Sequence, residues 1–178
     1  MNTLNTIQGL FKAGKILSRI VYIVSIIGFC CSILGIICLA FGADVIRIGG
    51  LDLESILRKE ADISIGTVYA AMAVGIVLFA GKALVSGFSM DYFAHETEEG
   101  TPFSMEGAGE LMRLGIIVIV IPILAQIIAE ISHSVISRLI DDVMPFSLRG
   151  PSDTAIGIMF IILSLVCRYG AELNEHNS

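Results

Sequence analysis

The run "RIVYIVSIIGFCCSILGIICLAFG", residues 19–42, constrains this chain more than any other feature. Crossing the hydrocarbon core of a bilayer as a helix takes about 20 consecutive apolar residues. Three further runs reach or approach that length: "GTVYAAMAVGIVLFAGKALVSGF" at 66–88, "LGIIVIVIPILAQIIAEISHSVI" at 114–136 and "TAIGIMFIILSLVCRYG" at 154–170. Lipid offers no hydrogen bonds to a bare backbone, so runs of this kind coil into helices that satisfy their own amides. The reading is an all-α polytopic membrane protein, a single membrane domain over residues 1–178 built as a four-helix transmembrane bundle.

Composition agrees. Of 178 residues, 55 % are hydrophobic and 16 % charged, where a soluble domain carries about 25 % charged residues. The net charge of -6 leaves no basic face to neutralise phosphates, which argues against nucleic acid as a direct partner. There is no tryptophan, so interfacial aromatics must come from Tyr22, Tyr69, Tyr92, Tyr169 and the phenylalanines. Cys30, Cys31, Cys38 and Cys167 all fall inside apolar runs and form neither a CxxC metal spacing nor a disulfide framework. They read as small residues packed between helices.

The first run follows Lys12, Lys15 and Arg19, as in a signal peptide. It exceeds the 7–15 residues of a signal h-region, so it reads as an uncleaved anchor. Before it, Leu4, Ile7, Leu10, Phe11, Ile16 and Leu17 recur among polar residues. That spacing predicts an amphipathic helix over 1–18 lying on the membrane surface. The positive N-terminal tail favours a cytoplasmic N-terminus. An even number of spans then puts the C-terminus on the same side.

Between the spans, "LDLESILRKE" reads as a short amphipathic helix begun by Asp52, with solvated loop as the plainer alternative. The third helix is expected to run past the membrane and stop before Pro145, and "GPSD" to break the chain and cap the fourth helix. The acidic stretch "DYFAHETEEGTPFSMEGAGELMRLG", residues 91–115, has the grammar of a helical turn. Gly100 suits the position after a helix end. Pro102 forces an extended turn, and Ser104 can cap the next helix. Glu106 and Glu110 lie near that helix's positive end. The expected result is a helical hairpin protruding into the cytoplasm.

That turn, glutamate-glycine-x-proline-phenylalanine-serine followed by "GAGELMRLG", resembles an uncharacterised bacterial family of small four-helix membrane proteins, the YoaS-like domain-of-unknown-function family. The tail "LSLVCRYGAELNE", with Gly170, Glu172 and Leu173, is similar to the family's acidic amphipathic ending. The resemblance runs from the first span to the end of the chain. Members often sit beside small helix-turn-helix regulators, which implies membrane-bound signalling or sequestration.

Charges inside spans default to a functional hypothesis. Lys82 and Glu130 are the two such residues, but they differ in depth by roughly 15 Å at 1.5 Å per residue. Each reads as snorkelling to its nearer interface rather than pairing with the other. Gln126, Glu130 and His133 share one helix face and make a candidate polar stripe for a cation, a proton or a neighbouring helix. Pro122 can kink the third span. His95 and Glu99 are four residues apart but do not complete a metal shell. Asp91, Glu96, Glu98, Glu99, Glu106 and Glu110 form a candidate docking face for a basic cytoplasmic partner, with a solvated helix end as the plainer reading. Gly28, Ser32 and Gly35, Ala71 with Gly75, and Ala125 with Ala129 offer close helix approach, within one chain or in a homo-oligomer.

Catalytic groupings are missing. Ser132, His133 and Ser134 are adjacent and point different ways, and no phosphate loop, HExxH or thiol pair occurs. No cofactor is expected. The leading expectation is a non-enzymatic integral membrane protein acting through contacts. A small transporter or channel built on the Glu130 stripe, and a peptide-toxin immunity protein, are the alternatives.

Overall fold

A computed structural model of the chain describes residues 3–40, 47–48, 51–52, 64–99, 104–140, 143–144 and 154–176. Four helices dominate: α1 Thr3–Ala40, α2 Ile65–Glu99, α3 Met105–Leu139 and α4 Thr154–His176. Each is long and apolar enough to cross a membrane. At 1.5 Å per residue the 35 residues of α2 extend about 50 Å, well beyond a hydrocarbon core of about 30 Å. Two short strands, β1 Arg47–Ile48 and β2 Leu51–Asp52, pair antiparallel with Arg47 opposite Asp52.

Two expectations change. The amphipathic surface helix and the first span are one element, since α1 is unbroken for 38 residues. No proline interrupts it, and single glycines do not stop a helix. The third helix runs past residue 136 and ends at Leu139, before Pro145 as expected, with the Ile140 amide closing onto the Ile136 carbonyl at 2.9 Å. Asp141 and Asp142 follow, and acidic residues oppose the negative end of the helix dipole. Asp52 lies in β2 rather than opening a helix, while residues 53–60 fall outside the described residues. So do Gly100, Pro102 and the "GPSD" segment.

Contacts group the chain into two units, and α1, α2 and α3 each run through both. One unit takes residues 26–80 and 125–149. Here α1 and α2 meet through glycines. A Cβ on Gly28 would stand 2.7 Å from the Phe79 ring, one on Gly75 2.8 Å from Ser32 Oγ, and one on Gly35 3.0 Å from Met72 Sδ. Ser32 Oγ donates to the Gly28 carbonyl at 2.9 Å, so its hydroxyl stays satisfied where it is buried. Ala70, Val74, Ala125 and Ala129 are buried, whereas Ala71 faces outward. Ser64 caps α2 by accepting the Thr67 amide at 3.2 Å. Thr67 Oγ1 accepts from the Met144 amide at 2.9 Å.

The other unit takes residues 1–25, 81–124 and 150–178. Its core is Tyr92, Leu111, Leu114 and Val118, with Val85, Phe93 and Phe160 packed around it. The backbones of α3 and α4 cross at glycines: a Cβ on Gly115 would lie 3.0 Å from the Gly157 carbonyl, and one on Gly157 would lie 2.8 Å from the Gly115 carbonyl and overlap the Ile119 side chain. Such approach lets two helices pack without intervening side chains. Ser164, also buried, donates from Oγ to the Ala108 carbonyl at 2.7 Å and fastens the same pair one further contact along. The start of α1 packs on the end of α2: Gly14 lies against Phe93, and the Phe11 and Phe93 ring centroids are 6.3 Å apart.

Candidate functional site

The turn between α2 and α3 carries the densest polar chemistry of this unit. Ser104 caps α3 as its sequence position predicts. Its Oγ accepts the Gly107 amide at 2.9 Å, and its carbonyl accepts the Ala108 amide at 3.0 Å. Glu106 sits in the first turn, where its charge suits the dipole. Across from it, Glu96 of α2 is 1 % exposed and is the largest fully buried side chain. Its carboxylate lies where a Cβ on Gly107 would stand. The glycine therefore opens the space for Glu96 beside the first turn of α3, where the positive end of the helix dipole favours an anion.

Neighbouring groups order the same end. His95 Nδ1 and Glu110 Oε2 are 2.8 Å apart and bridge α2 to α3. Thr97 Oγ1 donates to the Phe93 carbonyl at 2.6 Å. Tyr92 is buried and meets Phe93 edge-on at 5.4 Å. It lies four residues past the apolar run that ends at 88, and burial, then the charge of Glu96, push its phenol well above the ordinary range. On α4, Arg168 and Glu172 form an exposed pair at 3.3 Å, of a kind that contributes little.

The six acids of the predicted docking face therefore divide. Asp91, Glu98 and Glu106 are exposed, Glu110 is half-buried against His95, and Glu96 is withdrawn from the surface altogether. Glu96 cannot present itself to a partner; it belongs to the foundation of the turn. The side chain of Glu99 lies outside the described residues. His95 turns to Glu110 across the hairpin, and among the described residues no group of three candidate ligands could hold a metal. The intramembrane candidates are not drawn into this site. Lys82 is exposed, and its carbonyl accepts from Ser86 Oγ at 2.7 Å. Glu130 is exposed, with Gln126 and His133 half-buried on the same helix. Pro122 lies inside α3, which continues through it.

The role of Glu96 is legible in hindsight. It continues the stripe Val85, Ser89 and Tyr92 at four- and three-residue spacing, which marks the inward face of α2. Its charge masks that periodicity.

Four helices of sufficient length and apolarity fit a multi-pass membrane protein. Comparison of the chain with protein-family models, with curated proteins and with solved structures found no match.

Proposed function

We propose that this protein is a non-enzymatic membrane anchor that holds a basic cytoplasmic regulator on the tip of the α2–α3 hairpin. The observation that carries this reading is the division of the hairpin acids. Glu96, Gly107 and the Ser104 cap hold the end of α2 against the start of α3. Asp91, Glu98 and Glu106 remain exposed on it, and no lysine or arginine occurs between residues 91 and 112. A preorganised acidic tip loses little entropy on binding and steers a positively charged partner towards it. The resemblance to the YoaS-like family, whose members often lie beside small regulators, supports the same reading. In it, both termini and the hairpin are cytoplasmic and the protein resides in the plasma membrane of a bacterium.

The test is capture of cytoplasmic proteins by the full chain in nanodiscs. Wild type is compared with a variant carrying Asp91→Lys, Glu98→Lys and Glu106→Lys. A partner held by wild type and released by the variant, and released from wild type by raised salt, supports the reading. Equal capture by both removes it.

A further inference from the structure

The opening of α1 carries positive charge and no acid: Lys12, Lys15 and Arg19 stand ahead of Asp44, the first carboxylate of the chain. Their spacing of three and four residues puts them on one stripe, within about 60° of one another around the helix. Because α1 is unbroken from Thr3 to Ala40, that stripe leads straight into the apolar run 19–42. Arg19 opens the run. Lys15 lies about 6 Å and Lys12 about 10 Å further out, at 1.5 Å per residue. The polar layer flanking a hydrocarbon core is about 5–8 Å thick. Arg19 and Lys15 therefore sit at the depth of the lipid phosphates, and the long Lys12 side chain reaches back to them from the outer edge. Charge is costly in hydrocarbon, so the helix leaves the core at the stripe.

Packing fixes which way the stripe points. Gly14 lies against Phe93, and the Phe11 ring meets the same side chain. With that face turned inward, Lys12 and Arg19 are exposed and Lys15 is half-buried. Beside them Ile16, Leu17 and Ile20 are 53 % to 64 % exposed. Cations and bare apolar side chains at one height suit a membrane interface, where the stems lie among acyl chains and the charged heads meet phosphates. The chain itself does not answer this charge. Among the described residues no carboxylate pairs with any of the three. Asp91 lies two residues from Phe93, about 200° around α2 and so on the side away from α1. Glu110 is turned to His95.

We propose that Lys12, Lys15 and Arg19 form a binding stripe for acidic phospholipids, whose phosphates settle against it where α1 leaves the bilayer. The proposal rests on the membrane reading of the first run, not on the partner reading of the hairpin. It gives the chain a preference among lipids as well as a place in them.

The chain has no tryptophan, so a single introduced one reports its own surroundings. Ile23→Trp stands one turn inward from Arg19 along the stripe, at a position 49 % exposed. Ile37→Trp, at a position 44 % exposed towards the other end of the same run, is the comparison. Each full chain is reconstituted in phosphatidylcholine bilayers holding equal fractions of either brominated phosphatidylglycerol or brominated phosphatidylcholine, and fluorescence quenching is measured. At Ile23→Trp the acidic lipid should be preferred about fivefold or more, since one cation near an acidic surface contributes about 1 kcal/mol, a factor of about five. The two lipids should quench Ile37→Trp equally. Changing Lys12, Lys15 and Arg19 together to glutamine should abolish the preference at Ile23→Trp, while Lys12→Arg with Lys15→Arg keeps it. Equal quenching at Ile23→Trp in the otherwise unchanged chain overturns the stripe. So does a preference as large at Ile37→Trp, or one that survives the three glutamines. Quenching of neither reporter by either lipid overturns the membrane reading of the first run, and the stripe with it.

Discussion

Replacing Gly107 with alanine tests whether the buried carboxylate organises the hairpin. In a helix alanine is favoured over glycine by about 1 kcal/mol, so on propensity alone Gly107→Ala stabilises. The structure reverses the sign. The new methyl falls on the Glu96 carboxylate, with Ser104 Oγ 3.0 Å away. An exposed glutamate would swing aside at little cost, but Glu96 is 1 % exposed and its surroundings are filled. Overpacking of this kind costs about 1–3 kcal/mol, which after the propensity gain leaves Gly107→Ala destabilised by up to about 2 kcal/mol. With Glu96→Ala already in place the methyl meets only the Ser104 hydroxyl, at 3.0 Å, and most of the propensity gain remains. The coupling between the two changes is then about 2 kcal/mol, read from a double-mutant cycle in which the cost of losing the carboxylate cancels. Reversible unfolding of the four proteins in mixed dodecyl maltoside and SDS micelles, followed by far-UV circular dichroism, gives each value. If Gly107→Ala stabilises the wild-type background as much as it stabilises Glu96→Ala, the carboxylate does not occupy that space and the account of the turn fails.

Other expectations follow from single contacts. Gly157→Leu forces α4 off the Gly115 backbone and should cost about 3 kcal/mol or more by the same unfolding assay, with limited proteolysis opening first at α4; an unchanged midpoint would rule out the backbone crossing. Ser104→Ala removes the Oγ acceptor for the Gly107 amide and should cost about 1 kcal/mol, while Ser104→Asp restores it. Tyr92, whose phenol is shifted up, stays neutral in the folded chain above pH 10, where an unfolded tyrosine ionises. Its contribution is therefore complete below pH 10 and declines as pH rises past it. The ultraviolet difference between wild type and Tyr92→Phe should lack a tyrosinate band near pH 10–11 until the protein is unfolded, and a band present in the folded protein would contradict the burial of Tyr92.

Much of the architecture is readable from the residues alone, for physical reasons. Four apolar runs place four helices because chain length and hydropathy leave the backbone little choice. Ser104 announces its cap because the requirement is local: a hydroxyl three residues before the amide it accepts. Gly28, Ser32, Gly35 and Gly75 announce close approach for the same kind of reason, since small residues at helical spacing make a groove. What escapes is pairwise. Nothing in the spacing of Gly115 and Gly157 says that they meet each other, because each lies alone among large apolar residues. Glu96 escapes because charge in an acidic stretch reads as solvated surface, and only a facing glycine on the next helix reveals otherwise.

The unbroken passage of α2 and α3 from the apolar runs into the hairpin has a mechanical corollary. Each helix is a stiff lever, and membrane helices adapt to bilayers of different thickness mainly by tilting. Beyond residue 88, α2 continues to Glu99, an arm of about 16 Å at 1.5 Å per residue. A change in tilt of about 20°, within the range membrane helices adopt, would sweep the end of that arm sideways by about 5 Å. Thinning or thickening of the surrounding bilayer would thus be reported at the turn as lateral displacement, with no residue of the turn touching lipid.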